Sequence, residues 1–342
     1  MRRRLLPHAC ALLALITLSP GAAAKPATSW AQAELKAVVA AGLMAKEVAA
    51  RPNDPITRRE LEILVAGLTH VAPVAPAKAN ANVTMAALDA RLVRALGLAE
   101  TAKLYTQGAK SAGLGPPSRF GTEVVARLLG LRTNHPAALD DLELSPGEPA
   151  THAEAAYSAA RILRFGASQA LRAQEQAATF VLPPLTAWQK RILTTAVRFI
   201  GYPYVWGGES ELSQSPYDPQ PHGGFDCSGF VWRIYKLQAY PNEGKLADTL
   251  RGRTTYVMSG EVPAARRIAI ADLQPADLIF FGANGPKSKP AQIDHMGVYL
   301  GNGWFIHSSR YGVALETLSG WYEKRLAWGR RPLAEAGLTS TS

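Results

Sequence analysis

The feature that most limits how this chain can fold is a change of composition at Leu182-Pro183-Pro184. Before it lies an Ala- and Leu-rich half with apolar residues at helical spacing. After it lie most of the Trp, Tyr, Phe and Gly, and β-type runs appear for the first time. A chain of 342 residues with 47% hydrophobic side chains has ample apolar surface for two cores, which excludes disordered and collagen-like architectures. The expected fold is an all-helical domain followed by an α+β domain, the latter an antiparallel sheet packed with helices.

The first 24 residues stand apart. MRRR is a positively charged start, Leu5 to Leu18 a mostly apolar run, and Ala22-Ala23-Ala24 a small-residue cleavage site before Lys25, the pattern of a secretory signal. A single membrane anchor is the competing reading, but the run is shorter than the roughly 20 apolar residues a spanning helix needs and carries Pro7 and His8. The expected organisation is a signal peptide over 1–24, a helical domain over 25–180, a mixed domain over 181–335 and a tail over 336–342. Export would place the mature chain in the periplasm, in the cell envelope or outside the cell. It would keep 34 basic against 27 acidic residues, a net +7. No basic run longer than a pair follows the signal, so no nucleic-acid partner is expected, and no later segment spans a bilayer. Cys10 leaves with the signal, which makes Cys227 the one thiol of the exported chain and rules out a disulfide framework.

The helical half contains a repeat. Pro52-Asn53-Asp54-Pro55-Ile56-Thr57-Arg58-Arg59-Glu60 returns 94 residues later as Pro146-Gly147-Glu148-Pro149-Ala150-Thr151-His152-Ala153-Glu154. Each is a Pro-flanked turn followed by T-x-x-E, a capping box in which the Thr hydroxyl and the Glu carboxylate satisfy free amides at a helix start. Leu61, Leu64, Val65 and Leu68 continue the first helix, and Ala155, Ala159, Ile162 and Leu163 the second. Gly113 to Leu131 reads as a third, degraded copy with Thr122 and Glu123 out of register. Ala72 to Val83 reads as an extended connector. Trp30 to Leu68 resembles an S-layer homology repeat, with PITRRE matching that family's ITRAE element, and residues 139–165 match more weakly. The resemblance implies binding to a cell-wall glycopolymer, with Arg58 as the polymer-contacting residue and His152 in the corresponding place of the later copy. A helical domain whose capping boxes serve stability alone is the alternative.

In the second half, Thr186-Ala187-Trp188-Gln189 is another capping box, and Ile192, Leu193, Val197 and Ile200 carry a helix to about Gly201. A Pro/Gly-rich segment and a polar loop follow, reaching Gly224. Phe230, Val231, Ile234 and Tyr235 then keep helical spacing, which puts Cys227 in the first turn of a helix. There the free amides and the positive end of the helix dipole are expected to favour a thiolate.

A thiol nucleophile needs a base. Ile293 to His307 reads as a β-hairpin around Gly301-Asn302-Gly303, and its register decides where His295 and His307 point. A two-residue loop at Asn302-Gly303 pairs Val298 with His307 and sends the two histidines to opposite faces. A three-residue loop over 301–303 pairs Gly297 with His307 and puts His295 diagonally on the same face. The second register is chosen, because Gly297 leaves room for one imidazole to orient the other. Cys227 then attacks a carbonyl, His295 takes and returns the proton, and His307 fixes the tautomer and tilt of His295. A zinc site of Cys227, His295, His307 and either Asp226 or His222 is the competing reading, although no C-x-x-C or H-E-x-x-H spacing supports it.

Four elements in this order, PYVWGG, FDCSGFV, LQPADLIFFG and DHMGVYLGNGWFIHSS, resemble the NlpC/P60 family of papain-like cell-wall peptidases over some 130 residues. The resemblance implies a papain-like catalytic domain with Cys227, His295 and His307 as its catalytic residues, and neither metal nor cofactor. It also implies that Tyr204, Asp226 and Ser228 line a pocket that often receives the free amino terminus of a stem peptide, where a carboxylate suits an ammonium. The family typically cuts between the γ-carboxyl of D-glutamate and a diamino acid. Ala276 stands where the family usually has Gly, and the loops Glu209 to Gly223 and Gly282 to Ile293 look enlarged. Trp206, Trp232, Trp304, Trp321 and Trp328 are expected in the core rather than in a cleft. A papain-like amidase or acyltransferase acting on another envelope substrate, and a non-enzymatic wall-binding adaptor, are the alternatives.

Overall fold

The computed structural model describes residues 29–135, 143–212 and 223–339. The signal-like segment, His222 and most of the loop from Glu209 to Gly223 lie outside the described residues. Eight helices precede Pro183 among the described residues: α1 (Gln32–Ala40), α2 (Lys46–Ala49), α3 (Arg58–Thr69), α4 (Met85–Ala95), α5 (Ala99–Ser111), α6 (Phe120–Leu128), α7 (His152–Leu163) and α8 (Ala167–Thr179). Leu61, Leu64 and Val65 are buried on α3, Leu88 and Leu92 on α4, and Ala155 and Ala159 on α7, each at helical spacing.

Three of these helices start in the same way. Thr57, Thr84 and Thr151 each accept the amide three residues on, from Glu60, Ala87 and Glu154. The turns before them meet in a closed ring. Ile56 N donates to Ala150 O (2.8 Å), Ala150 N to Val83 O (2.8 Å) and Val83 N to Ile56 O (3.1 Å). Each helix start is also capped by a neighbouring turn in rotation, with Arg58 N donating to Ala81 O, Met85 N to Glu148 O and His152 N to Asp54 O. The ring satisfies amides that a helix start leaves without a partner, and it relates the turns 52–60, 79–87 and 146–154 by a pseudo-threefold axis.

The third copy therefore sits at 79–87 and not within Gly113 to Leu131, where Thr122 lies inside α6 and donates to the Arg119 carbonyl. Ala87 replaces the Glu of the other two copies, which erases the T-x-x-E signature and makes the segment up to Val83 read as a connector. The capping box is reciprocal in the first copy, where Thr57 N donates to Glu60 Oε2 at 2.8 Å. In the last copy Glu154 is buried and faces His135 at 3.5 Å instead.

After Pro184 come α9 (Ala187–Arg198), the paired short strands β1 (Glu209–Ser210) and β2 (Gly224–Phe225), and α10 (Cys227–Trp232), which runs on as a π-helical turn over Arg233–Leu237. Five strands, β3 (Leu278–Gly282), β4 (Ile293–Gly301), β5 (Trp304–Ser309), β6 (Gly312–Thr317) and β7 (Leu326–Arg330), form one antiparallel sheet in the order β6-β5-β4-β3-β7. Helix α10 packs on β4 and β5, which sets Cys227 beside the histidine hairpin.

A continuous apolar core crosses the composition boundary. Tyr105 of α5 packs on Phe180 (5.2 Å between centroids) and edge-on to Trp304 of β5 (5.9 Å), and Trp304 Nε1 donates to Thr179 O at 3.1 Å. Arg127 of α6 donates to the carbonyls of Tyr311 and Gly201 in the second half and pairs with Glu143 in the first. Among the described residues no helix is long and apolar enough to cross a membrane.

Candidate active site

Cys227 opens α10 as expected. Asp226 is the cap, its Oδ1 accepting from Gly229 N at 2.5 Å. Gly229 is required here, because a Cβ at this position would run into the Gly208 carbonyl. The electrostatics differ from the expectation. Burial and the adjacent Asp226 carboxylate push the Cys227 thiol up to about 11, only partly opposed by the Thr255 hydroxyl at 3.3 Å and the backbone amides of Ser228 and Met296. The cap places its negative charge where the positive end of a six-residue helix lies, so the resting thiol is neutral rather than a dipole-stabilised thiolate.

His295 Nε2 and His307 Nδ1 face each other at 2.6 Å. The register Val298↔Ile306 and Tyr299↔Phe305 continues to Gly297 opposite His307, as the three-residue loop requires. The turn itself is the two-residue one, with Gly301 paired to Trp304 and both Asn302 (φ 49°) and Gly303 (φ 78°) left-handed. A bulge at Leu300 reconciles the two by adding one residue to β4, which restores the register that puts both imidazoles on one face. Gly297 leaves the space expected of it, since a Cβ there would lie 3.1 Å from His307 Cβ.

His307 is fully buried, with its ring 4.8 Å from Phe305 and edge-on to Tyr322 at 5.4 Å. Burial lowers His295 to about 4, with Arg325 adding to the shift and Asp294 opposing it; burial followed by the neighbouring His295 takes His307 well below the usual range. Both imidazoles are therefore neutral around pH 7. With Nε2 of His295 facing His307, Nδ1 is the nitrogen left to act on a substrate or a thiol.

Cys227, His295, Tyr204, Asp226 and Ser228 line one cleft of about 1200 Å³, and His307 stands behind His295. Among the described residues no hydrogen bond joins Cys227 to His295; the thiol contacts Thr255 instead. Among those residues, too, no group of three or more His, Cys, Asp or Glu is arranged to hold a metal ion. Asp226 is fully engaged. Oδ1 accepts from Gly229 N, Ser228 Oγ (3.0 Å) and Arg253 Nη1 (3.2 Å), and Oδ2 accepts from Gly207 N (3.0 Å). Arg253 also donates to Ser228 Oγ (2.7 Å) and Glu209 Oε2 (2.7 Å). Arg253 and Thr255 escaped the sequence reading because RGRTTY carries no Cys, His or carboxylate to mark it; two Arg beside a Thr pair are its only signal. Trp304 and Trp328 are core residues as expected and Trp232 is partly buried, whereas Trp206 and Trp321 are exposed on the cleft. Arg58 is exposed in the first threefold turn, but Met85 and His152 at the equivalent places are buried.

Comparison with known proteins assigns this half. The model of the NlpC/P60 family matches residues 201–331, so the C-terminal half carries an NlpC/P60 family domain. The gamma-D-glutamyl-L-lysine dipeptidyl-peptidase of Bacillus subtilis is 31% identical over 147 residues, covering 42% of this chain and 41% of the relative. The murein DD-endopeptidase MepH of Escherichia coli is 35% identical over 120 residues, covering 35% of this chain and 36% of the relative. The chain thus spans about two fifths of the length of these curated relatives. The crystal structure of an NlpC/P60 family protein from Bacillus cereus matches with 29% identity and a TM-score of 0.33, covering 45% of this chain and 42% of that one.

Proposed function

We propose that the chain is an exported peptidoglycan hydrolase, a cysteine endopeptidase that cleaves stem peptides at the bond between the γ-carboxyl of D-glutamate and a diamino acid. The observation that carries this reading is the His295–His307 pair behind a cleft wall that also holds Cys227. The family match supports the peptidase class, and the name of one relative specifies a γ-D-glutamyl bond.

The chemistry follows from the protonation states. Cys227 Sγ attacks the amide carbonyl while its proton passes to His295 Nδ1, because a thiol near 11 does not ionise ahead of attack. His307 holds the tautomer and tilt of His295 through the 2.6 Å contact. The Cys227 amide is assigned to the oxyanion. Collapse expels the diamino acid amine with the proton from His295 and leaves a thioester. Water, deprotonated by His295, then cleaves the thioester and regenerates the thiol. Tyr204 and Ser228 are assigned to the substrate pocket with Asp226.

Digestion of defined stem peptides, read by mass, tests the reading. New amino termini on the diamino acid are expected from the full chain and none from Cys227→Ala. Unchanged wall lysis by that variant, or transfer of the acyl group to another amine, would overturn it in favour of an adaptor or an acyltransferase.

The helical half is read as the module that holds the enzyme on wall glycopolymer, which raises local substrate concentration without new catalytic contacts. Its threefold ring of turns supports a repeat architecture. Only Arg58 offers an exposed guanidinium at the position in question, so polymer contact is confined to the first turn. The full-length Cys227→Ala chain should sediment with wall polymer and lose that property on Arg58→Ala.

A further inference from the structure

A second cavity, of about 410 Å³, lies where the two halves meet, walled by α6, α7 and α8 of the first half and by β6 of the second. Its size falls within the roughly 300–1,000 Å³ of small-molecule sites. Gln169, Arg172, Ala173 and Gln176 line it from α8 at i, i+3, i+4 and i+7, a single stripe of that helix. A stripe turned towards the body of a protein is ordinarily apolar, yet three of these four residues are polar.

Arg161 of α7 adds a second cation to the cavity wall, its Nε donating to Leu129 O at 3.4 Å. Among the described residues neither Arg161 nor Arg172 forms an ion pair, so two guanidinium forks remain for an oxyanion. On the β6 wall Glu316 has no hydrogen bond or ion pair among the described residues, and burial pushes its carboxyl up to about 7. A protonated Glu316 donates to a neutral oxygen and does not repel an anion held by the arginines. Gln169 Oε1 accepts from Gly166 N and Ser168 Oγ, which leaves its Nε2 to donate to a ligand.

We propose that this cavity is a binding site for a single acidic sugar, its carboxylate or phosphate held by Arg161 and Arg172 and its hydroxyls by Gln169, Gln176 and Glu316. A polyhydroxylated ring satisfies hydrogen-bonding groups on several walls at once, whereas an alkyl or aromatic ligand would bury them without partners. The site is distinct from the cleft that holds Cys227 and from Arg58, and it does not depend on the peptidase reading. Arg127 lines it and donates to the Tyr311 and Gly201 carbonyls, and Tyr311 lines both cavities, so a bound sugar bridges the two halves.

The test is calorimetric titration of the full chain at pH 6 with glucuronic acid, glucose 6-phosphate, glucose and inorganic phosphate. At least one acidic sugar should bind about tenfold or more tightly than glucose and phosphate, and should raise the urea midpoint of the whole chain. Binding of glucuronic acid alone assigns a carboxylated ligand, and of glucose 6-phosphate alone a phosphorylated one; either supports the site. The double variant Arg161→Gln, Arg172→Gln should weaken that binding about tenfold or more. Its urea midpoint without ligand should stay unchanged, because both side chains are exposed. Glu316→Ala should also weaken it, and Glu316→Gln should keep most of it. Acidic sugars that bind no better than glucose and phosphate, or a double variant that binds them as the intact chain does, would overturn the proposal. Peptide cleavage is unaffected by either result.

Discussion

His295 and His307 reach each other across 2.6 Å because Leu300 is one residue more than the hairpin turn needs. Asn302 and Gly303 make a tight two-residue turn, which alone would put the imidazoles on opposite faces of the sheet. The bulge shifts β4 by one position between Tyr299 and Gly301, and the register beyond it aligns Gly297 with His307. Backbone geometry at the tip of the hairpin thus fixes an imidazole contact several residues away.

Gly297→Ala should break that contact. The added methyl would lie 2.9 Å from Ile306 O and 3.1 Å from His307 Cβ, so either the ring or the strand must yield. A loss of about 100-fold in kcat is expected, at the low end of what positioned acid–base catalysis contributes, with a smaller change in KM. Steady-state kinetics on a defined stem peptide check it; wild-type kcat would show that the contact does not matter.

Alkylation of Cys227 by iodoacetamide should be slow at pH 7 and rise about tenfold per pH unit towards 11, since only the thiolate reacts. Thr255→Val should slow it further, because the Thr255 hydroxyl is among the groups that favour the ionised sulfur. A plateau reached below pH 7 would show a resting thiolate. The imidazoles add an acid limb of stability. Their folded values lie below those of the unfolded chain, so the unfolded state binds more protons and stability falls as pH drops from about 6.5 to about 4.

Ala276→Gly should stabilise the fold. Ala276 is buried with φ 69°, a left-handed conformation that an L side chain adopts at a cost of roughly 1–2 kcal/mol, against roughly 0.5–1 kcal/mol of extra unfolded-state entropy for glycine. The net gain expected is about 0.5–1 kcal/mol, read as a shift of the urea midpoint. No shift would mean that the methyl group's packing offsets the strain.

What the sequence disclosed depended on whether one residue type carried the information. Cys227 at a helix start and the Thr57 and Thr151 caps were legible because nucleophile and cap leave short, local signatures. The Thr84 copy was not, because Ala87 removed the carboxylate that makes a capping box visible, and its partners lie tens of residues away in the other two turns. The histidine register was legible in outcome but not in means, since a bulge has no sequence code distinct from a longer loop. The neutral thiol was hidden for another reason: proximity to a helix start could be read, whereas burial and the orientation of Asp226 could not.

Arg127 is where the two halves depend on each other most directly. Its side chain is 1% exposed, it pairs with Glu143 at 2.8 Å, and it donates to the Tyr311 and Gly201 carbonyls beyond the composition boundary. Asp89 and Glu123 are buried nearby with their carboxyls pushed up by burial, so removing a cation here leaves acidic groups poorly compensated. Arg127→Ala should therefore cost about 3–5 kcal/mol, and Arg127→Lys should recover little, because an ammonium cannot span a carboxylate and two carbonyls at once. Tyr311 lines the cleft that holds Cys227 and His295, so on the proposed function what remains folded should also show a raised KM. Urea unfolding followed by tryptophan fluorescence and by circular dichroism should give coincident single transitions in the intact chain, as a shared core demands. Two separated transitions, with Arg127→Ala moving only one, would show that the halves fold independently and that the boundary at Pro183 is a true hinge between domains.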